Sequence, residues 1–283
     1  MKKIIVIKIG TSVLTDKFGK LNYKAMERIV KDIAKIKKQG KDIIIVTSGA
    51  IGAGMPELGV KIRPTTVKMQ QACAAIGQNI LMSKYEEFFS KYKIKIAQIL
   101  LTYKDFSDKT GYTNLNNSIN TLLELGIVPI INENDPVSIN ELGPSFGDND
   151  KLSALLSCKI RAKMLLILTA VDGVYNKNPK LKEAKIIREV FHIDKKIESL
   201  QGGPDVLGLG GVKTKIAAAK IVTRCGILMV IANGRKKGMI TSLMEGKKRG
   251  TIFYPAAKVE KKKGWIKFLH KIGFVFSCYG ILV

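Results

Sequence analysis

Histidine is almost missing from this chain, with only His192 and His270 in 283 residues. A mechanism built on a histidine base, or a metal centre built from several histidines, has too little to work with. Cysteine is scarce as well. Cys73, Cys158, Cys225 and Cys278 stand far apart with no CxxC pair. That spacing predicts neither a disulfide framework nor a thiolate metal site, and it fits a reducing compartment. No GxxxxGK[ST] segment occurs, which excludes a P-loop. No apolar run reaches the ~20 residues a spanning helix needs. The N-terminal MKKIIVIKIG is interrupted by Lys8 and Gly10 too early for a signal peptide. A cytoplasmic location without membrane partners is the expectation.

Acidic residues are the other shortage: 23 Asp+Glu face 48 Lys+Arg, a formal net charge of +25. Such a surplus can attract nucleic acid, an anionic membrane or a phosphorylated substrate. The lysines are spread along the chain, however, on helix faces such as Lys31, Lys35 and Lys38, as on an ordinary solvated surface. One dense cluster, Lys258 to Lys263, lies near the C-terminus. The length allows one large domain or two modest ones around a sizeable core.

What the chain does have is a repeated alternation. Short β-branched runs at Ile4 to Ile9, Ile43 to Thr47, Ile94 to Leu101, Val128 to Asn132, Met164 to Thr169 and Leu228 to Ile231 read as buried strands. Helical spacing separates them, over Tyr23 to Gln39, Thr66 to Phe89, Leu115 to Leu125, Lys151 to Ser157 and Thr214 to Cys225. Strand–helix alternation of this kind predicts an α/β fold, a three-layer αβα sandwich around a mostly parallel sheet. Ligands of such sheets sit beyond the carboxyl ends of the strands.

Chemistry gathers at those ends. The first run closes on Lys8-Ile9-Gly10-Thr11-Ser12, a cation beside a glycine and two hydroxyls, which suits phosphate. The second closes on Thr47-Ser48-Gly49-Ala50-Ile51-Gly52-Ala53-Gly54, where free N–H groups of a turn could hold an anion. If the first two strands pair, these loops become neighbours. Ile131-Asn132-Glu133-Asn134-Asp135 follows a strand, and Phe146-Gly147-Asp148-Asn149-Asp150 opens a helix. Their amides and carboxylates could grip an α-amino group and orient cations. They are too many to be idle turn chemistry, though two or three of them could be caps. Thr169-Ala170-Val171-Asp172-Gly173 turns after another strand. Gly208-Leu209-Gly210-Gly211-Val212-Lys213-Thr214-Lys215 delivers lysines to a helix start, as a phosphate cradle does.

Five ordered segments together resemble the amino acid kinase family, over about Lys3 to Pro255. The most specific are VTSGAIGAG at Val46 to Gly54, INENDPV at Ile131 to Val137 and FGDNDKLSALL at Phe146 to Leu156, supported by KMQQACAAIGQ at Lys68 to Gln78 and LLTYKDF at Leu100 to Phe106. Within the family the resemblance is to the branch that phosphorylates glutamate. It implies transfer of the γ-phosphoryl of ATP, with Mg²⁺, to the γ-carboxylate of L-glutamate at the start of proline synthesis. By position, Lys8 and Lys215 would lie over the phosphoryl, Gly10 and Gly49 would donate backbone N–H groups to it, and Asp150 would hold the lysines. Ser48, Asp135 and Asn149 match glutamate-binding positions. Lys8, Thr169, Ala170, Leu209, Gly210, Gly211, Val212, Lys213, Thr214 and Lys215 match the nucleotide site, and no protein ligand for a metal is assigned. Ala170 replaces an acidic residue usual after Thr169, and Leu209 and Val212 replace the usual Thr and Met.

The resemblance further implies a homo-oligomer (dimer or tetramer), feedback inhibition by proline and hand-off to glutamyl phosphate reductase. It divides the chain into a kinase domain over 1–255 and a short basic and apolar tail over 256–283, in which Lys261 to Ile266 resembles only the start of a PUA domain. A carboxylate acceptor is already ionised at neutral pH, with a reference pKa of about 4.3, so the reaction needs no general base. That agrees with the lack of histidine. Three alternatives stay open: a kinase of aspartate, uridylate or another small acid; a basic nucleic-acid binder using Lys258 to Lys263; and a catalytically silent proline sensor.

Overall fold

β-Branched runs flanked by amphipathic helices bury best as the middle layer of a sandwich, and that is the arrangement in the computed structural model. It describes residues 3–102, 104–107, 109–137, 149–179, 181–200 and 211–255. In chain order the elements are β1 (Ile4–Ile9), α1 (Thr11–Leu14), α2 (Tyr23–Lys38), β2 (Asp42–Val46), α3 (Ala50–Gly54), α4 (Val67–Ser90), β3 (Ile96–Leu101), α5 (Lys104–Ser107), α6 (Lys109–Glu124) and β4 (Val128–Glu133). There follow α7 (Asn149–Lys159), β5 (Met164–Thr169), β6 (Glu189–Val190), α8 (Lys195–Ser199), α9 (Val212–Arg224), β7 (Leu228–Asn233), α10 (Met239–Met244) and β8 (Thr251–Phe253). The predicted strands are all present, with bounds within two residues of those expected. The tail over 256–283 lies outside the described residues.

The sheet runs β3-β4-β2-β1-β5-β7-β8-β6. All its pairings are parallel except β7 with β8. The pairing of β1 with β2 brings their two following loops together, as the motifs require. Every residue of β1 is buried, because the strand has neighbours on both sides and helices on both faces. Its period of two decides where the chemistry goes. Ile5, Ile7 and Ile9 enter a core with α2, α4 and α10, while Ile4 and Val6 enter the opposite core with α6, α7 and α9. Lys8 continues the second set, so its side chain leaves β1 on the α7–α9 face.

Glycine has a packing task in the VTSGAIGAG segment as well as a turning one. Gly49 has φ 105° and caps α3 in the left-handed region, where glycine is favoured. Gly54 and Gly77 let α3 and α4 press together. A Cβ on Gly77 would collide with the carbonyl oxygen of Ala50, and one on Gly54 with that of Cys73. Gly77→Ala is therefore expected to cost about 1–3 kcal/mol or more through overpacking, read as a lower thermal midpoint.

The cysteine expectation needs correcting. Cys158 and Cys225 form a disulfide across a sequence separation of 67. Linear spacing was a poor guide because α7 packs on α9 and places the last turn of one beside the C-cap of the other. Closing so long a loop typically stabilises by about 2–4 kcal/mol. A reductant is therefore expected to lower the melting temperature of wild type and to leave a Cys158→Ser, Cys225→Ser variant unmoved. Cys73 is a buried free thiol. Among the described residues, no helix is long and apolar enough to cross a membrane.

Candidate active site

Two helices that start at the carboxyl edge of the sheet bring the charged groups together. Asp150 stands in the first turn of α7, where the partial positive charge of a helix N-terminus favours a carboxylate. Lys215 lies in the first turns of α9, which Gly211 caps. With Lys8 arriving from β1, the three converge. Lys8 Nζ is 2.7 Å from Asp150 Oδ1, and Lys215 Nζ is 3.1 Å from Asp150 Oδ2. Thr214 Oγ1 donates to the same Oδ2 at 3.0 Å. All three ionisable residues are buried, Asp150 completely.

Burial by itself would push the Asp150 carboxyl up. The ammonium of Lys8, and after it that of Lys215, more than reverses this and holds Asp150 well below the usual carboxylate range. The carboxylate therefore stays charged and the cluster keeps a net positive charge. One carboxylate between two ammoniums can fix both amines while leaving charge over for an anion.

Gly10 follows the last residue of β1, and its N–H donates to Leu168 O at 3.0 Å, extending the β1–β5 pairing. Gly10 also permits close approach: a Cβ there would lie 3.0 Å from Leu168 O and 3.6 Å from Lys8 Nζ. Gly49 stays at the turn beside it.

The expected substrate residues fall on one side of the cluster. Asn149 Nδ2 donates to Thr47 O at 2.7 Å and to Ser48 Oγ at 3.0 Å, so Ser48 and Asn149 touch directly. It also donates to Asn132 Oδ1 at 3.0 Å, at the end of β4. Asp135 follows two residues after β4. Burial first, and then the neighbouring Glu133 carboxylate, push its pKa up to about 7 against the opposing pull of Arg63. A half-buried cleft bordered by Ala75, Gln78, Gln98, Leu100, Glu133 and Pro136 opens beside these groups.

The expected nucleotide residues fall on the other side. Thr169 ends β5, next to β1, and its carbonyl accepts from Gly234 N at 2.9 Å. Ala170 opens the turn that follows. Asp172 in that turn accepts from Asn233 Nδ2 at 2.9 Å and pairs with Lys236 at 2.7 Å, tying the ends of β5 and β7 together. Gly211, Val212, Lys213 and Thr214 form the start of α9, with Lys213 exposed. Leu209 and Gly210 lie outside the described residues.

Sequence reasoning passed over Gln78, Gln98 and Arg63 as site residues, and noticed Asn132 without giving it a role. Gln78 sits in the quoted KMQQACAAIGQ segment, but nothing local marks a helix glutamine as a strand-end partner. Only the closeness of α4 to β3 and β4 does so.

The model of the amino acid kinase family matches residues 3–233. A glutamate 5-kinase of Thermoanaerobacter sp. (strain X514) is 45% identical over 271 residues, covering 95% of this chain and 72% of that protein. One from Methanosarcina barkeri is 46% identical over 272 residues, covering 93% and 71%. Among solved structures, a carbamate kinase from Giardia lamblia bound to AMP-PNP superposes with a TM-score of 0.64 at 16% identity, over 89% of this chain and 98% of that one. That likeness concerns the fold.

Proposed function

This chain belongs to the amino acid kinase family, and from that premise we propose that it transfers the γ-phosphoryl of ATP to the γ-carboxylate of L-glutamate, the first step of proline biosynthesis. The reading rests above all on one observation, the buried Asp150 carboxylate bridging Lys8 and Lys215. Phosphoryl transfer asks for in-line positioning and positive charge on the equatorial oxygens more than for covalent work by the protein. Two fixed ammoniums supply that charge without rearranging as it develops.

In this reading glutamate lies on the Ser48, Asn149 and Asp135 side, with its α-ammonium drawn to the acidic end of β4. ATP lies on the Thr169, Ala170 and Gly211 to Lys215 side, with Leu209 and Gly210 completing that loop. Gly49 offers a turn amide between the two. Magnesium fits as an ion carried on the phosphates. Among the described residues no three His, Cys, Asp or Glu side chains gather to hold one, and magnesium commonly keeps several waters beside phosphate oxygens. When bound it would neutralise part of the phosphate charge. Cytoplasmic location, homo-oligomeric assembly, inhibition by proline and hand-off to a reductase belong to the same proposal.

ADP release measured with L-glutamate, L-aspartate and UMP as acceptors tests the substrate. Turnover with glutamate supports it, and turnover with UMP alone overturns it.

Asp135 gives the reading a pH signature. With its pKa near 7 the carboxyl is largely protonated at pH 6 and attracts an ammonium poorly. KM for glutamate is expected to fall as pH rises from about 6 to 8, with proton release on binding near neutrality. The stability sign is the opposite. A raised folded pKa means that the stabilising contribution is complete below the unfolded value of 3.8 and is lost as pH rises through about 7. Unliganded protein should therefore lose stability as pH rises from 3.8 to about 7 and level off above it, so the loss overlaps only the lower part of the range in which glutamate binding improves.

A further inference from the structure

Four side-chain amides form one head-to-tail chain from the acceptor side of the site to the surface. Its direction starts from a fixed point. Thr47 O is a backbone carbonyl and can only accept, so the Asn149 atom 2.7 Å from it is the amide nitrogen. The Asn132 atom facing that nitrogen at 3.0 Å is then its oxygen. Asn132 Nδ2 therefore turns outward and donates to Gln78 Oε1 at 2.9 Å. Gln78 Nε2 in turn donates to Gln98 Oε1 at 2.9 Å. Asn132 and Gln78 are buried, 2% and 8% exposed, so a flip of either would set nitrogen against nitrogen or oxygen against oxygen without water to repair it.

The consequence lies at the inner end. With the two hydrogens of its nitrogen shared among Thr47 O, Ser48 Oγ and Asn132 Oδ1, Asn149 keeps its carbonyl oxygen for something else. That oxygen is buried and has no hydrogen-bond partner among the described residues. A buried acceptor without a donor is costly, and a ligand N–H would satisfy it.

We propose that Gln78 is a positioning residue for the acceptor substrate, acting through Asn132 to hold Asn149 with its carbonyl oxygen presented to a ligand ammonium or amide hydrogen. The inference rests on the functional reading above and deepens it. Gln78 itself belongs to α4, and it acts at one remove from Asn149. Gln98 is the exposed outer anchor of the same chain, and it borders the cleft together with Gln78.

Steady-state kinetics on three variants test this, with glutamate and ATP varied separately. Gln78→Leu removes the acceptor for Asn132 at nearly constant volume. KM for glutamate is expected to rise about tenfold or more, with kcat and KM for ATP within about threefold of wild type. Gln78→Glu is the conservative rescue. Its carboxyl oxygen still accepts from Asn132, and the exposed Gln98 amide can turn to donate, so KM for glutamate should return to within about threefold of wild type. An unchanged glutamate KM in Gln78→Leu overturns the proposal, as does an equal rise in both KM values or a Gln78→Glu variant as impaired as Gln78→Leu. Should Gln78→Leu fail to fold, Gln98→Leu decides at an exposed position. A rise in glutamate KM of about threefold at constant ATP KM supports the proposal, and no change overturns it. A wild type that ignores glutamate sinks the functional reading and this inference with it, whereas an active wild type with an indifferent Gln78→Leu sinks the inference alone.

Discussion

Lys8→Met is expected to lower kcat for glutamate-dependent ADP release about 10²–10³-fold, the loss typical of removing one preorganised donor from a developing oxyanion. Methionine keeps an unbranched side chain in the same buried channel of β1 and takes away only the ammonium. Asp150 would still have Lys215 at 3.1 Å and the Thr214 hydroxyl at 3.0 Å, so the carboxylate is not stranded and the fold should survive. The activity loss should therefore far exceed any change in melting temperature. Lysine at this position is specific for a second reason. Arginine carries the same charge on a broader planar group, and Lys8 is buried with its Nζ held 2.7 Å from Asp150 Oδ1. Lys8→Arg is thus expected to stay far below wild type. Near-normal turnover in Lys8→Met would show that the amine belongs to the fold and not to the chemistry.

Asp150→Asn should be the most damaging single substitution for stability. It leaves two ammoniums, 4% and 8% exposed, facing each other across a neutral amide, and breaking a buried pair from one side typically costs about 3–5 kcal/mol. Chemical denaturation at neutral pH would read this as a lower midpoint with an unchanged slope. The pH dependence carries its own sign. The folded-state pKa of Asp150 is depressed below its ordinary 3.8, so its contribution is complete above that value and is lost as pH falls through the folded one. The stability gap between wild type and Asp150→Asn should narrow in acid and stay constant from pH 5 upward. Turnover should fall with stability, because the amide no longer fixes the two amines.

Much of this arrangement could be read in the residues, and particular elements show why. Ile4 to Ile9 and Met164 to Thr169 agree with β1 and β5 at both ends, because a short buried run followed by a glycine or a turn leaves little choice of boundary. The short strands β6 and β8 were invisible, having two and three residues, too few for any period to register. Lys8, Asp150 and Lys215 were identified together through the motifs, and the alternation of β1 explains why they meet. Other features depend on tertiary closeness that no local pattern carries. Cys158 meets Cys225 because α7 lies on α9. Gly54 and Gly77 let α3 and α4 approach closely. The N–H of Gly10 pairs with Leu168 O of β5, which the glycine–hydroxyl turn alone does not announce. Gln78 looked like an ordinary helix residue until β4 brought Asn132 to it.

Trapping the product with hydroxylamine tests the central claim most directly, since an acyl phosphate becomes a stable hydroxamate. Wild type given ATP, magnesium and L-glutamate should form γ-glutamyl hydroxamate in step with ADP, and Asp150→Asn should lose both together. ADP without hydroxamate, or undiminished hydroxamate in Asp150→Asn, would contradict a site in which Asp150 holds Lys8 and Lys215 over the phosphoryl group as it moves to the carboxylate.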